Sequence, residues 1–210
     1  MAPQDQPMTQ TITTIIFDFG GVLINWNPRN LYRRFFSDPQ AMEDFLTETN
    51  FMEWNAQQDK GRPFAEGVAI LSEQFPQYAH LIRAYRENWK ESITGIIPGT
   101  VEILQTLKEK GYALYGLSNW SSETFPIVRD EFPFLNLFDG VILSGEVHLI
   151  KPDPVIYDLC LKMAGKPANE CLFIDDSQTN IITANKMGFD TIRFDSPETL
   201  RSELEFRQIL

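Results

Sequence analysis

The stretch TTIIFDFGGVLINWNP, residues 13–28, decides how this chain is read. Ile15 to Phe17 form an unbroken apolar run of the kind that fills a strand buried on both faces. The run stops at Asp18, and two residues further on stands Gly20 in place of a second carboxylate. Asp18 is therefore either a working nucleophile or the remnant of one, and the rest of the chain decides which.

After Asn27 and Pro28 the texture turns helical. The segments LYRRFF, MEDFLTETNFMEWN, AEGVAILSEQF and HLIRAYRENWKESI carry apolar and aromatic anchors at helical spacing, and no strand is expected before Gly95. From Ile97 onward helix and strand alternate: TVEILQTLKEKG then YALYGLSN, SSETFPIVRDEF then FDGVILSGE, PDPVIYDLCLKMAG then ECLFIDDS, QTNIITANKMG then FDTIRF, and PETLRSELEF last. This alternation predicts parallel strands joined by crossover helices on both faces: an α/β doubly wound parallel sheet, a Rossmann-like core with an inserted small helical domain. The expected division is a flexible tail over 1–11, a core over 12–27 and 97–210, and the helical insert over 28–96. Hinges are expected near Asn27 to Pro28 and Thr94 to Pro98, so that closure of the insert excludes water.

Sheets of this kind place their chemistry at the carboxyl ends of the strands. The first strand ends at Asp18, the second at Ser118 and Asn119, and the fourth at Asp175 and Asp176; Lys151 follows the third after the loop SGEVHLIKPDP. Parallel pairing would bring these groups to one rim. Three carboxylates together repel one another unless a cation lies among them, and hard oxygen ligands suit Mg2+. With a lysine and a small hydroxyl beside them, they make a charge-compensated nucleophile for an anionic substrate, as phosphoryl transfer requires. Asp18 is expected to attack phosphorus and form an aspartyl-phosphate.

FDFGGVL, LSNWS, KPDP and FIDDSQTN, in this order and in these strand contexts, resemble the four motifs of the haloacid dehalogenase-like hydrolase superfamily. The resemblance covers the chain beyond its tail, and the insert is similar to the small helical cap of that superfamily's first cap class. It implies that Asp18 is the nucleophile beside the metal, Ser118 the hydroxyl that holds the transferring group, and Lys151 the cation that stabilises nucleophile and intermediate. It further implies that Asp176 is an Mg2+ ligand with Asp175 helping directly or through water, and that the Gly20 main-chain carbonyl supplies another. Asn119 matches a residue that orients the phosphate or a cap-side group.

Gly20 departs from that pattern. Most phosphatases of the superfamily carry an Asp there, which gives a proton to the leaving oxygen and then takes one from the hydrolytic water. Proton help of this kind is worth about 10²- to 10⁴-fold. Its absence favours leaving groups that are weak bases, with sugar 1-phosphates the preferred class. Two other readings stay open: a dehalogenase-type hydrolase that attacks carbon without metal, disfavoured by the paired acids of FIDDS, and a phosphate-binding or regulatory module with weak activity.

In the insert, DKGRPF is the polar break. Asp59, Lys60 and Arg62 there are the candidates to meet the non-phosphate end of a substrate, Lys60 and Arg62 as its binding residues, against the simpler reading of a solvated turn. Phe51, Trp54, Phe64 and Trp89 are expected to form the insert's own small core. His148 is read as an exposed or hydrogen-bonded loop residue rather than a substitute acid, and His80 as structural. Cys160 and Cys171 show no CxxC or metal-ligand spacing and are read as buried core residues.

A net charge of −11, with no run of Lys and Arg, argues against a nucleic-acid partner. No apolar run approaches the ~20 residues of a membrane span. The start, MAPQDQPMTQT, lacks the basic and apolar regions of a signal peptide, so the expected location is the cytoplasm. The oligomeric state stays open.

Overall fold

The computed structural model describes residues 11–210. Apart from Thr11, the tail expected to be flexible lies outside the described residues. The strands are β1 (Thr14–Phe17), β2 (Ile24–Trp26), β3 (Ile93–Ile96), β4 (Ala113–Ser118), β5 (Gly140–Leu143), β6 (Cys171–Asp175) and β7 (Asp190–Arg193). The insert carries α1 (Pro28–Tyr32), α2 (Pro39–Glu48), α3 (Phe51–Asp59), α4 (Phe64–Gln74) and α5 (Ala79–Glu87). Beyond it come α6 (Pro98–Glu109), α7 (Phe125–Arg129), α8 (Ser144–Val147), α9 (Pro154–Ala164), α10 (Gln178–Lys186) and α11 (Pro197–Phe206).

The main sheet has the order β5-β4-β1-β6-β7, and every neighbouring pair is parallel. Ile16 of β1 is level with Tyr115 on one side and with Phe173 on the other. Alternate residues of this wholly buried strand face opposite layers. Ile15 and Phe17 join the apolar cluster of α6 and α11, with Ile103, Leu104, Leu200 and Leu204. Ile16 joins the cluster of α9 and α10, with Tyr157, Cys160, Ile181 and Ala184. Both cysteines are free and buried, as their isolation in the sequence suggested. The chain fills the β4–β5 side of β1 first and then crosses to β6 and β7 on the other. The switch point therefore falls at β1, whose carboxyl end is Asp18.

Three details differ from the sequence reading. A strand begins at Ile93, before Gly95: β3 pairs antiparallel with β2, Ile24 opposite Ile96 and Trp26 opposite Ile93. The insert thus enters and leaves through a two-stranded ribbon, closed by the Ile97 N–H donating to the Leu23 carbonyl at 2.8 Å. SSETFPIVRDEF forms only the short α7, because Pro126 is tolerated in the first turn of a helix and not in its interior. Phe51, Trp54 and Phe64 do pack together around Tyr85, but Trp89 packs on Trp120 beyond β4, with ring centroids 5.8 Å apart. The apolar side chains of the insert are continuous with those of the α6–α11 layer rather than a separate core.

Candidate active site

Each strand end contributes one part of the site. Asp18 extends the ladder of β1, its N–H donating to the Ile174 carbonyl at 2.9 Å, and its Oδ1 accepts from the Phe19 N–H at 2.7 Å. Lys151 Nζ lies 3.1 Å from Asp18 Oδ1 and 2.6 Å from Asp175 Oδ2, with the Lys151 and Asp175 side chains 0% exposed. Asp175 also accepts from the Ser177 N–H at 2.8 Å, and from Asn180 Nδ2 at 3.0 Å on both oxygens. Asn119 clamps the lysine from behind. It accepts from the Lys151 N–H at 2.8 Å and donates to the Lys151 carbonyl at 3.0 Å. Ser118 ends β4, buried, and makes no side-chain hydrogen bond among the described residues.

Burial raises the Asp18 carboxyl above the ordinary carboxylate range; Lys151 pulls it back, while Asp175 and Asp176 push it further up. Asp176 is raised for the same two reasons, burial and the neighbouring Asp175. Burial lowers the Lys151 ammonium, but Asp175 and Asp18 outweigh it and hold the ammonium above the usual lysine value.

A cavity of about 470 Å³ lies between this rim and the insert. Asp18, Gly20, Asn119, Lys151 and Asp176 line it from the sheet, and Trp26, Met52, Asn55 and Asp59 from the ribbon and α3. Asp59 is the last residue of α3. Its carbonyl accepts from the Ser144 hydroxyl of α8, which in turn accepts from the Trp120 N–H at 2.8 Å, so the insert is tied to the core at this point. Its Oδ2 accepts from Asn55 Nδ2 at 2.8 Å.

Lys60 and Arg62, expected at the substrate, do not line this cavity. The Arg62 Nε donates to Gln58 Oε1 at 2.6 Å, and a terminal guanidinium nitrogen donates to the Trp54 carbonyl at 3.1 Å. Lys60 is exposed, and its carbonyl lies 3.3 Å from His148 Nδ1. Lys60, the C-cap of α3, is turned about 100° from Asp59 and so faces away from the cavity. Gly61, at φ +105°, then leads the chain away. His148 is exposed, as the sequence reading preferred, and so is His80 on α5.

The donor set fits a hard divalent cation. One oxygen from each of Asp18, Asp175 and Asp176 lies within 4.8 Å of the others, and the Gly20 carbonyl receives no hydrogen bond among the described residues. Gly21, at φ +78°, lets Asp176 lean over the rim: a Cβ there would stand 2.6 Å from Asp176 Oδ2. Asp175 is spent on Lys151, Asn180 and Ser177, which leaves Asp18, Asp176 and the Gly20 carbonyl as the accessible oxygens.

The sequence model described as haloacid dehalogenase-like hydrolase matches residues 15–194. The chain belongs to this family. A sesquiterpene phosphatase of Aspergillus oryzae is 28% identical to this hydrolase across 97% of this chain and 99% of its own. A phosphoglycolate phosphatase of Haemophilus influenzae is 29% identical across 86% of this chain and 84% of its own. The wild-type HAD family enzyme BT-2542 of Bacteroides thetaiotaomicron, in complex with magnesium and inorganic phosphate, is similar at TM-score 0.66 and 27% identity, covering 88% of this chain and 95% of that one.

Several residues that build the site of this hydrolase carried no role in the sequence reading. Asn180 sits inside FIDDSQTN, five residues after Asp175, on the first turn of α10, where an amide can turn back to a strand-end carboxylate. Asn55 stands four residues before Asp59, the spacing that places two side chains on one helical face. Ser144 and Trp26 offered no signal of that kind.

Proposed function

We propose that this hydrolase is a Mg2+-dependent phosphatase of small phosphate esters, sugar 1-phosphates foremost, acting through an aspartyl-phosphate on Asp18. Its setting would be the cytoplasm, with no nucleic-acid partner. The buried cation carries this reading: Lys151 touches both the nucleophile and Asp175 at 3.1 and 2.6 Å. Because Asp18 Oδ1 is engaged by Lys151 and the Phe19 N–H, Oδ2 is the oxygen left to attack phosphorus. Ser118, with its hydroxyl unspent at the end of β4, would hold a phosphoryl oxygen. Asp18, Asp176 and the Gly20 carbonyl would hold Mg2+, with Asp175 behind them. Bound there, Mg2+ supplies positive charge that favours ionised Asp18 and neutralises the phosphoryl oxygens.

The walls of the cavity support a sugar. Trp26 offers a flat apolar face, and Asn27, Asn55 and Asp59 offer partners for hydroxyls. Gly20 gives no proton, so anomeric phosphates, whose leaving oxygen is less basic than that of an ordinary alkyl phosphate, come first. Residues 28–96 would serve as the cap that covers the bound ester. The test is phosphate release from sugar 1-phosphates, sugar 6-phosphates, acyl phosphates and p-nitrophenyl phosphate, with Mg2+ and with chelator, beside Asp18→Asn. Release should need both Mg2+ and Asp18, and 1-phosphates should outrun 6-phosphates. No phosphate from any of them, with halide released from 2-haloacids instead, would move the chemistry to carbon.

A further inference from the structure

Gly20 leaves the sheet rim without a proton source, and the insert brings one to the opposite wall. A cavity of about 50 Å³ opens on Gly20, walled by Asp59, Asn55 and Asn119 and roofed by Trp26, Trp89 and Trp120. A Cβ built on Gly20 meets no atom within 4 Å, so the space that a second carboxylate would enter is open. Among the described residues Asp59 is the one ionisable group lining this cavity, and it also lines the larger one that holds Asp18 and Lys151. We infer that Asp59, delivered by the insert, is the proton donor to the leaving oxygen, in place of the side chain that position 20 lacks. The inference rests on the phosphatase reading.

Three features suit Asp59 to that part. Burial pushes its carboxyl up to about 8, so that it carries its proton at neutral pH. A hydrogen bond from the Ser121 backbone draws the other way and the charge of Asp18 adds to the rise; since desolvation is the largest cause, the proton does not depend on Asp18 being ionised. The titratable groups that face it are Asp18 from β1 and Tyr85 from α5. Asn55 donates to Oδ2 and fixes the carboxyl on the cavity wall. Tryptophan walls limit the water that would compete for the proton.

The step balances. As the bond from Asp18 to phosphorus forms and the ester P–O bond breaks, the Asp59 proton passes to the leaving oxygen and the alcohol departs. Water then attacks phosphorus and gives a proton to the Asp59 carboxylate. The Asp18–phosphorus bond breaks, and phosphate leaves with both carboxyl groups restored.

The experiment compares turnover on a sugar 1-phosphate, whose leaving oxygen is less basic than an ordinary alkoxide yet basic enough to gain from a proton, with turnover on p-nitrophenyl phosphate, whose phenolate departs without one. Asp59→Asn should lower the ratio of the two rates by about 100-fold, within the range of proton help. Adding Gly20→Asp to Asp59→Asn should recover at least about tenfold of that ratio, a result that a damaged fold would not produce. Equal losses on both substrates, without recovery in the double variant, would overturn the role of Asp59 and leave the phosphatase reading standing. Wild-type protein that releases phosphate from neither substrate would end both.

Discussion

Replacing Lys151 with methionine tests the electrostatic core of the site. The side chain is fully buried between two carboxylates, and the Asp175 carboxylate it touches at 2.6 Å is fully buried as well. Breaking a buried pair by removing one partner costs about 3–5 kcal/mol, against about 1 kcal/mol or less for a surface pair. For a chain of this size each kcal/mol moves Tm by about 2–4 °C, so the fall should be about 6–20 °C. The sign of its pH dependence follows from the same geometry. Without the ammonium that pulls it back, the buried Asp18 carboxyl holds its proton more tightly in the folded state than in the unfolded one. Stability of the variant then drops as pH rises through the window between those values, and its deficit against wild type should be larger near pH 8 than near pH 5. Thermal melts by circular dichroism, run in chelator so that no added cation substitutes for the lysine, give the comparison. A deficit below about 2 °C, or one of equal size at both pH values, would show that Lys151 does not compensate these carboxylates.

Gly21→Ala would place a methyl group 2.6 Å from Asp176 Oδ2 at φ +78°; Mg2+ affinity by calorimetry should fall about 10- to 100-fold, as for other disturbed metal supports. Asn119→Ala removes both hydrogen bonds that clamp the Lys151 peptide; it should cost about 1–3 kcal/mol in chemical denaturation and lower kcat more than it raises KM. Asp59→Asn should raise Tm even as it impairs turnover. The folded carboxyl, pushed up to about 8, keeps a proton that the unfolded chain releases from pH 4 upward. Wild-type stability therefore declines across that window, and the advantage of the variant should grow from pH 5 to pH 8 in melts.

The fold was legible where strands are long apolar runs bounded by helices. β1, β4, β5 and β6 each appear that way, and the polar residues that follow β1, β4 and β6 announce the rim. β2 and β3 were not legible, because three or four half-exposed residues in INW and ITGI carry no periodic pattern and gain their structure only by pairing across the whole insert. Asp18, Ser118, Lys151, Asp175 and Asp176 sit where the alternation places them. The groups on the insert side were harder, since their position depends on how one layer seats on another. DKGRPF was visible as the polar break, yet only the seating of α3 selects Asp59 over Lys60 and Arg62. Asn119 illustrates a further limit: its place at a strand end is readable, but its bonds run to a lysine backbone 32 residues away.

The β2–β3 ribbon has a consequence for how such a chain can diversify. Because Ile24 lies opposite Ile96 and Trp26 opposite Ile93, the way into the insert and the way out are neighbours. Whatever lies between them can be lengthened, shortened or exchanged without shifting a residue of β1. A lineage can therefore rewrite what it recognises while inheriting an unaltered reacting centre. A carboxyl group at the end of α3 restricts that freedom: a transplanted insert that lacks it would bring a new substrate preference and leave the proton behind.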